Sequence, residues 1–284
     1  MDVQDKFKSY LQGRGLSRRT IRTYITTLNR FTKWIEQVYG EFDVAAITPL
    51  DVADYRRYLN QKGKKPATVN HALDVLNCFF AWANAEGNVQ TNPVAGIKRM
   101  REQKNAPRWL GRRELGALIR AVQKYGKSRD IALVMLLIHT GLRISEAVSL
   151  RQGDIVLRER SGLVRVRQGK GDKYREVPLN ITVRRVLDGY IGETKGEWLF
   201  PSRRGGHIST RAAENILTKY GRLAGLDVTP HMLRHTFGKM LVDAGESLDR
   251  VAALMGHSNL NTTARYTRPS AQDLEYAVEK LAWE

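Results

Sequence analysis

A tyrosine and five basic side chains in this 284-residue chain have the types and spacing to cut a phosphodiester. His231, Arg234 and His235 occupy i, i+3 and i+4 of one segment, so on a helix they share a face. His257 follows in Met255-Gly256-His257, and Tyr266 comes shortly after it. Upstream, Arg143 and Glu146 stand three residues apart, and Lys170 lies in Gly169-Lys170-Gly171-Asp172-Lys173. Phosphoryl transfer needs an aligned nucleophile, cations on the non-bridging oxygens and a proton for the leaving alkoxide. Arg143 and Arg234 suit the second need, because a guanidinium donates two parallel hydrogen bonds and stays charged. Glu146 is placed to orient Arg143. The Tyr266 hydroxyl, with an ordinary pKa near 10, becomes a better nucleophile where cations stabilise its phenolate. His231 and His257 are candidate phosphate ligands or proton-transfer helpers, and His235 is read as structural. Lys170 is a candidate general acid, with Lys173 as its rival.

Each residue also has an ordinary explanation. Most arginines make surface ion pairs, most histidines are satisfied structural residues, and most tyrosines belong to a core or a surface. Metal-dependent cleavage fits poorly, since it needs clustered carboxylates and this set offers only Glu146. One cysteine, Cys78, cannot supply a Cys/His zinc pattern, and Gly169-Lys170-Gly171 is too short for a phosphate-binding GxxxxGK[ST] loop. No metal or other cofactor is therefore expected.

Helices must hold most of these groups. Ser17 is a candidate cap for a helix carrying Ile21, Ile25, Leu28, Phe31 and Ile35, with Gly40 as its stop. Thr48-Pro49 opens another, and a third runs from Pro66 to Glu86. With a short helix over Val3 to Leu11 they make a four-helix unit. Residues 98–108 (KRMREQKNAPR) lack periodicity and read as a linker. Further on, helices are expected over about 112–125, 128–139, 182–191, 209–224, 231–244, 248–254, 261–265 and 271–283. Alternating Leu163 to Arg167 and Tyr174 to Val177 form a hairpin with Lys170 at its tip. The expected fold is mainly α, with a small antiparallel β-sheet in the C-terminal domain. The expected domains are 1–97, the linker, and 109–284.

Forty-seven basic residues against 29 acidic ones give a net charge of +18. Residues 1–100 hold 15 basic and 9 acidic side chains, leaving 32 and 20 for the remainder, so both parts favour a polyanion. A lone cysteine, no signal-peptide pattern and no apolar run of membrane-spanning length point to a cytoplasmic protein without a membrane partner.

Four segments together resemble the tyrosine recombinase (phage-integrase-like) family, of the Xer type. They are HTGLRISEAVSL (139–150), GKGDKYREVPL (169–179), TPHMLRHTF (229–237) and LMGHSNLNTTARYT (254–267). The resemblance implies a helical core-binding domain, a linker and a catalytic domain. It makes Tyr266 the nucleophile of a 3′-phosphotyrosyl intermediate. Arg143, Arg234, His231 and His257 would hold the phosphate, and Lys170 would protonate the leaving 5′-oxygen. It further implies double-stranded DNA as partner, a homotetramer on two DNA sites, and a C-terminal helix at 271–283 packed on a neighbouring protomer. Resolution of chromosome dimers at a dif-like site is the role it favours, and an archaeal enzyme acting alone is one form it allows. A mobile-element integrase, a type IB topoisomerase and a non-catalytic helical DNA-binding regulator are the alternatives.

Overall fold

The computed structural model describes residues 3–102, 108–167, 174–257, 259–267, 278–279 and 281. It divides into two compact units, Met1–Lys104 and Asn105–Glu284. Lys170, Lys173, residues 103–107 of the expected linker, and the expected helix over 271–283 apart from 278, 279 and 281 lie outside the described residues.

The first unit contains α1 (Val3–Gly13), α2 (Arg18–Tyr39), α3 (Pro49–Gln61) and α4 (Pro66–Ala85). The local signals act as expected. The Ser17 hydroxyl accepts the Thr20 N–H at the start of α2. Thr48 and Asp51 form a reciprocal capping box at the start of α3, where Pro49 needs no N–H partner. The apolar stripes meet in an aromatic core. Phe7 lies edge-on to Phe79 with centroids 5.2 Å apart, and Phe31 meets Tyr55 at 5.0 Å in the same manner. Edge-to-face contact sets a ring's positive rim against another's negative face, adding to the gain from burial.

The second unit starts with α5 (Arg112–Tyr125), α6 (Ser128–Thr140) and α7 (Ile144–Val148). The strands β1 (Ile155–Leu157), β2 (Gly162–Val166) and β3 (Arg175–Pro178) follow, forming a three-stranded antiparallel sheet in the order β1-β2-β3. Then come α8 (Ile181–Glu193), α9 (Thr210–Leu223), α10 (Pro230–Asp243) and α11 (Leu248–Met255). Residues Ala132 to Ile138 of α6 are all buried, which explains a helix with no polar stripe. The fold is thus mainly helical with one small sheet.

Three local features differ from the sequence expectation. β1 was not anticipated, because three residues are too few to display a period of two. The five-residue α7 was missed for the same reason. The helix expected over 261–265 is instead two 3₁₀ turns, Leu260–Thr262 and Ala264–Thr267. Thr263 between them donates its N–H to the Leu260 carbonyl, and its own carbonyl accepts the Tyr266 N–H, so bonding closes over three residues. No helix among the described residues is long and apolar enough to cross a membrane.

Candidate active site

The site is built on two glycine turns that end α6 and α11. Gly141, after α6, has φ +59°, and a Cβ there would fall 2.3 Å from the Phe237 ring. Gly256, after α11, has φ +64°, and a Cβ there would meet the Arg175 guanidinium at 2.9 Å. Only glycine combines a left-handed conformation with such close approach. Both turns present carbonyl oxygens to arginines. Arg234 on α10, 5% exposed, donates from Nη1 to the Gly141 carbonyl and from Nη2 to the Met255 carbonyl, each at 2.5 Å. Arg143, at the N-terminus of α7, donates more weakly to the Gly256 carbonyl at 3.5 Å. Two cationic forks from distant segments therefore meet at one turn, and His257 is its next residue.

Burial pulls the Arg234 guanidinium down to about 10, and the nearby charge of Arg143 acts in the same direction. Glu146 and, less strongly, Tyr266 oppose that shift. Arg234 is still a cation at neutral pH, and its poor hydration leaves it strongly attracted to an anion such as phosphate.

Glu146 holds this arrangement from beneath. It is 3% exposed. Its carboxylate accepts the backbone N–H and Nη1 of Arg143, each at 2.8 Å, and both Nη atoms of Arg175 at 3.1 and 2.7 Å. Burial pushes the carboxyl up, but the bonds and charge of Arg175 and the bonds from Arg143 outweigh it, holding Glu146 below the ordinary glutamate range. A carboxyl lowered by folding stabilises the protein above its unfolded pKa, and that contribution is lost as pH falls through the folded value. Glu146→Gln should therefore reduce stability by about 3 kcal/mol at neutral pH. The deficit should shrink as the pH drops below the ordinary value of 4.5. Urea midpoints for both proteins across the acid range check this, and a deficit independent of pH would contradict it.

The sequence reading did not assign Arg175, although it lies in one of the quoted segments. Its signal was strand alternation: Arg175 shares a face of β3 with buried Val177, and an inward arginine needs a carboxylate. Besides gripping Glu146, it donates from Nε to the Leu254 carbonyl at 3.3 Å.

Tyr266 is 1% exposed and packs in a small cluster with Phe237, Val251 and Met255. Gly238 opens the space for it, since a Cβ there would lie 2.8 Å from Tyr266 Cε2 and 2.9 Å from Met255 Sδ. The ring stacks on His257 at 6.4 Å between centroids, with an interplanar angle of 14°. His257 is itself fixed by a 2.9 Å bond between Nδ1 and the hydroxyl of buried Thr263. His235, expected to be structural, lies with its Nδ1 2.9 Å from the Tyr266 hydroxyl oxygen. His231 is exposed in the first turn of α10, one turn before Arg234 and His235. The fold thus gathers Arg143, Glu146, Arg234, His257 and Tyr266 around the Met255–His257 turn, with His231 on the same helix as Arg234. Lys170 is outside the described residues. Among those described, no group of three or more His, Cys, Asp and Glu is arranged to hold a metal ion. Buried cations beside a tyrosine can stabilise a phosphorane-like transition state through charge and hydrogen bonding.

Two known sequence families match the chain: the phage integrase family over residues 108–273, and the phage integrase N-terminal SAM-like domain over 4–86. Tyrosine recombinase XerA of Pyrococcus furiosus is 33% identical, with 98% of this chain and 93% of the relative covered. Tyrosine recombinase XerC of Syntrophus aciditrophicus is 31% identical, covering 92% and 90%. The structure of XerH site-specific recombinase bound to palindromic difH substrate shares the fold, with a TM-score of 0.78. It is 24% identical, with 96% of this chain and 84% of that one covered.

Proposed function

Starting from a chain that belongs to the phage integrase family and is a Xer-type site-specific tyrosine recombinase, we propose which residues cut the DNA and what the DNA is. Tyr266 Oη attacks the scissile phosphorus, forming a 3′-phosphotyrosyl bond as the P–O5′ bond breaks. Arg143 and Arg234 bind the non-bridging oxygens, joined by His231 and His257. His231 is also placed to help proton transfer. Lys170 gives its proton to the departing 5′-oxygen. Glu146 sets the angle of Arg143. The phosphodiester energy is kept in the tyrosyl ester, so rejoining needs neither ATP nor a divalent ion.

The observation that carries this assignment is the convergence of Arg143 and Arg234 on consecutive carbonyls, Gly256 and Met255, directly before His257. Tyr266 is stacked on that histidine. The arginines are held by backbone and by Glu146 before any substrate arrives, so little reorganisation is left for the reaction.

The substrate in this proposal is a short, dif-like palindromic duplex, and the biological outcome is resolution of chromosome dimers in the cytoplasm. Four copies of the chain on two such sites exchange strands pairwise. The XerH relative, solved on a palindromic difH substrate, supports this choice. The excess of basic residues in both parts of the chain provides the phosphate contacts.

A nicked suicide duplex carrying a dif-like site, incubated with the protein in EDTA, tests the reading. The expected product is a covalent protein–DNA adduct whose modified peptide contains Tyr266. Tight DNA binding without any adduct, or an adduct that EDTA abolishes, would sink it.

A further inference from the structure

The hydrogen bond between His235 and Tyr266 assigns a role to a histidine outside the set that holds the phosphate. We propose that His235 Nδ1 is the base that takes the Tyr266 proton during cleavage and returns it during rejoining. This rests on Tyr266 being the nucleophile.

The geometry is direct. Nδ1 lies 2.9 Å from Oη, within the range for proton transfer, and the rings are tilted at 56° with centroids 5.7 Å apart. In the neutral imidazole with its proton on Nε2, Nδ1 is an acceptor and the phenol must be the donor. Tyr266 is 1% exposed, so bulk water has little access to the hydroxyl. His235 is half-buried. Its position is set by α10, which also carries Arg234 in the preceding place and Gly238 under the tyrosine ring. The base, one phosphate-binding arginine and the seat of the nucleophile therefore move as one rigid helix.

The step balances. As Oη attacks phosphorus its proton passes to Nδ1, giving an imidazolium, while the 5′-oxygen leaves with a proton from the general acid. In rejoining, the 5′-hydroxyl returns its proton to that acid, attacks the phosphotyrosyl phosphorus, and the imidazolium reprotonates the departing tyrosine oxygen. His231 and Lys239 lie one turn to either side on α10, and Arg234 is adjacent. Tyr266 faces the imidazole from the 3₁₀ turn, with His257 across the tyrosine ring. Lys239 is paired with Asp243.

The test is single-turnover cleavage and rejoining on the suicide duplex as a function of pH, with wild type, His235→Asn and His231→Asn. The amide of asparagine can occupy the place of Nδ1 but cannot accept a proton in this range. His235→Asn should form adduct about 100-fold more slowly, rejoin more slowly by a similar factor, bind DNA normally and lose the acid limb of the rate profile. Retention of that limb in His235→Asn, or its loss in His231→Asn alone, would overturn the proposal. If His235→Asn does not fold, nitrogen NMR of wild-type histidines decides: Nδ1 must be unprotonated at neutral pH, and a proton there would refute the role. Wild type forming no adduct would instead defeat the assignment of Tyr266, an outcome the tautomer measurement keeps separate.

Discussion

Tyr266→Phe is expected to abolish the covalent protein–DNA adduct completely while leaving DNA affinity unchanged. The substitution removes one oxygen and keeps the ring. That ring fills a cluster with Phe237, Val251 and Met255 and rests on Gly238, so the packing that shapes the site survives. The bond to His235 is lost, a change of about 1 kcal/mol. A denaturing gel of the suicide-duplex reaction, with a binding titration alongside, reads both quantities. An adduct still formed by the variant would mean that another of the 11 tyrosines, or a different residue, is the nucleophile.

Arg234→Lys is the second substitution with a large expected effect, despite conserving charge. Arg234 uses its two terminal nitrogens to bridge the Gly141 and Met255 carbonyls, so the fork proposed to hold the phosphate is fixed by both turns. A lysine ammonium is a single point charge and cannot span both carbonyls while presenting a planar pair of donors to an anion. One carbonyl would be left buried without its donor, at a cost of about 1–3 kcal/mol. The cleavage rate should fall about 1000-fold, in line with loss of a preorganised donor to a developing negative charge. Single-turnover cleavage and thermal unfolding measure the two effects. A variant that cleaves within about tenfold of wild type would show that charge alone suffices, contrary to the geometry.

The two substitutions separate different parts of the site. Tyr266→Phe removes the proposed nucleophile and should leave stability almost intact. Arg234→Lys should weaken both the transition state and the fold, because its side chain belongs to the packing of two turns. Glu146→Gln acts on the support instead: it leaves Arg143 and Arg175 in place but removes the carboxylate that sets their angle.

Much of the architecture was legible in the linear chain. Helix starts announced themselves through Ser17 and Thr48-Pro49, where a side-chain oxygen meets an N–H within the first turn. The buried helix α6 was marked by its unbroken apolar run, and the β2–β3 hairpin by alternation. These signals are local, acting over one turn or one strand, and burial then agrees with them. β1, α7 and the 3₁₀ turns around Tyr266 were not legible, because each is too short to repeat its period twice.

For the site, residue types and spacing were enough to select Arg143, Glu146, Arg234, His257 and Tyr266, and the family resemblance supplied their expected roles. The arginine–glutamate pair was readable because residues three apart can touch within a single turn. The tertiary structure alone decided the rest. Arg175 reaches Glu146 from a strand on the far side of a hairpin, and Arg234 takes its backbone partners from turns separated widely in sequence. His235 looked structural because nothing in sequence spacing could show that a 3₁₀ turn brings the Tyr266 hydroxyl against its Nδ1. Local patterning determines which groups exist and which face of an element they occupy. Long-range packing determines which of them touch, because only the closed core brings turns from distant segments to one point.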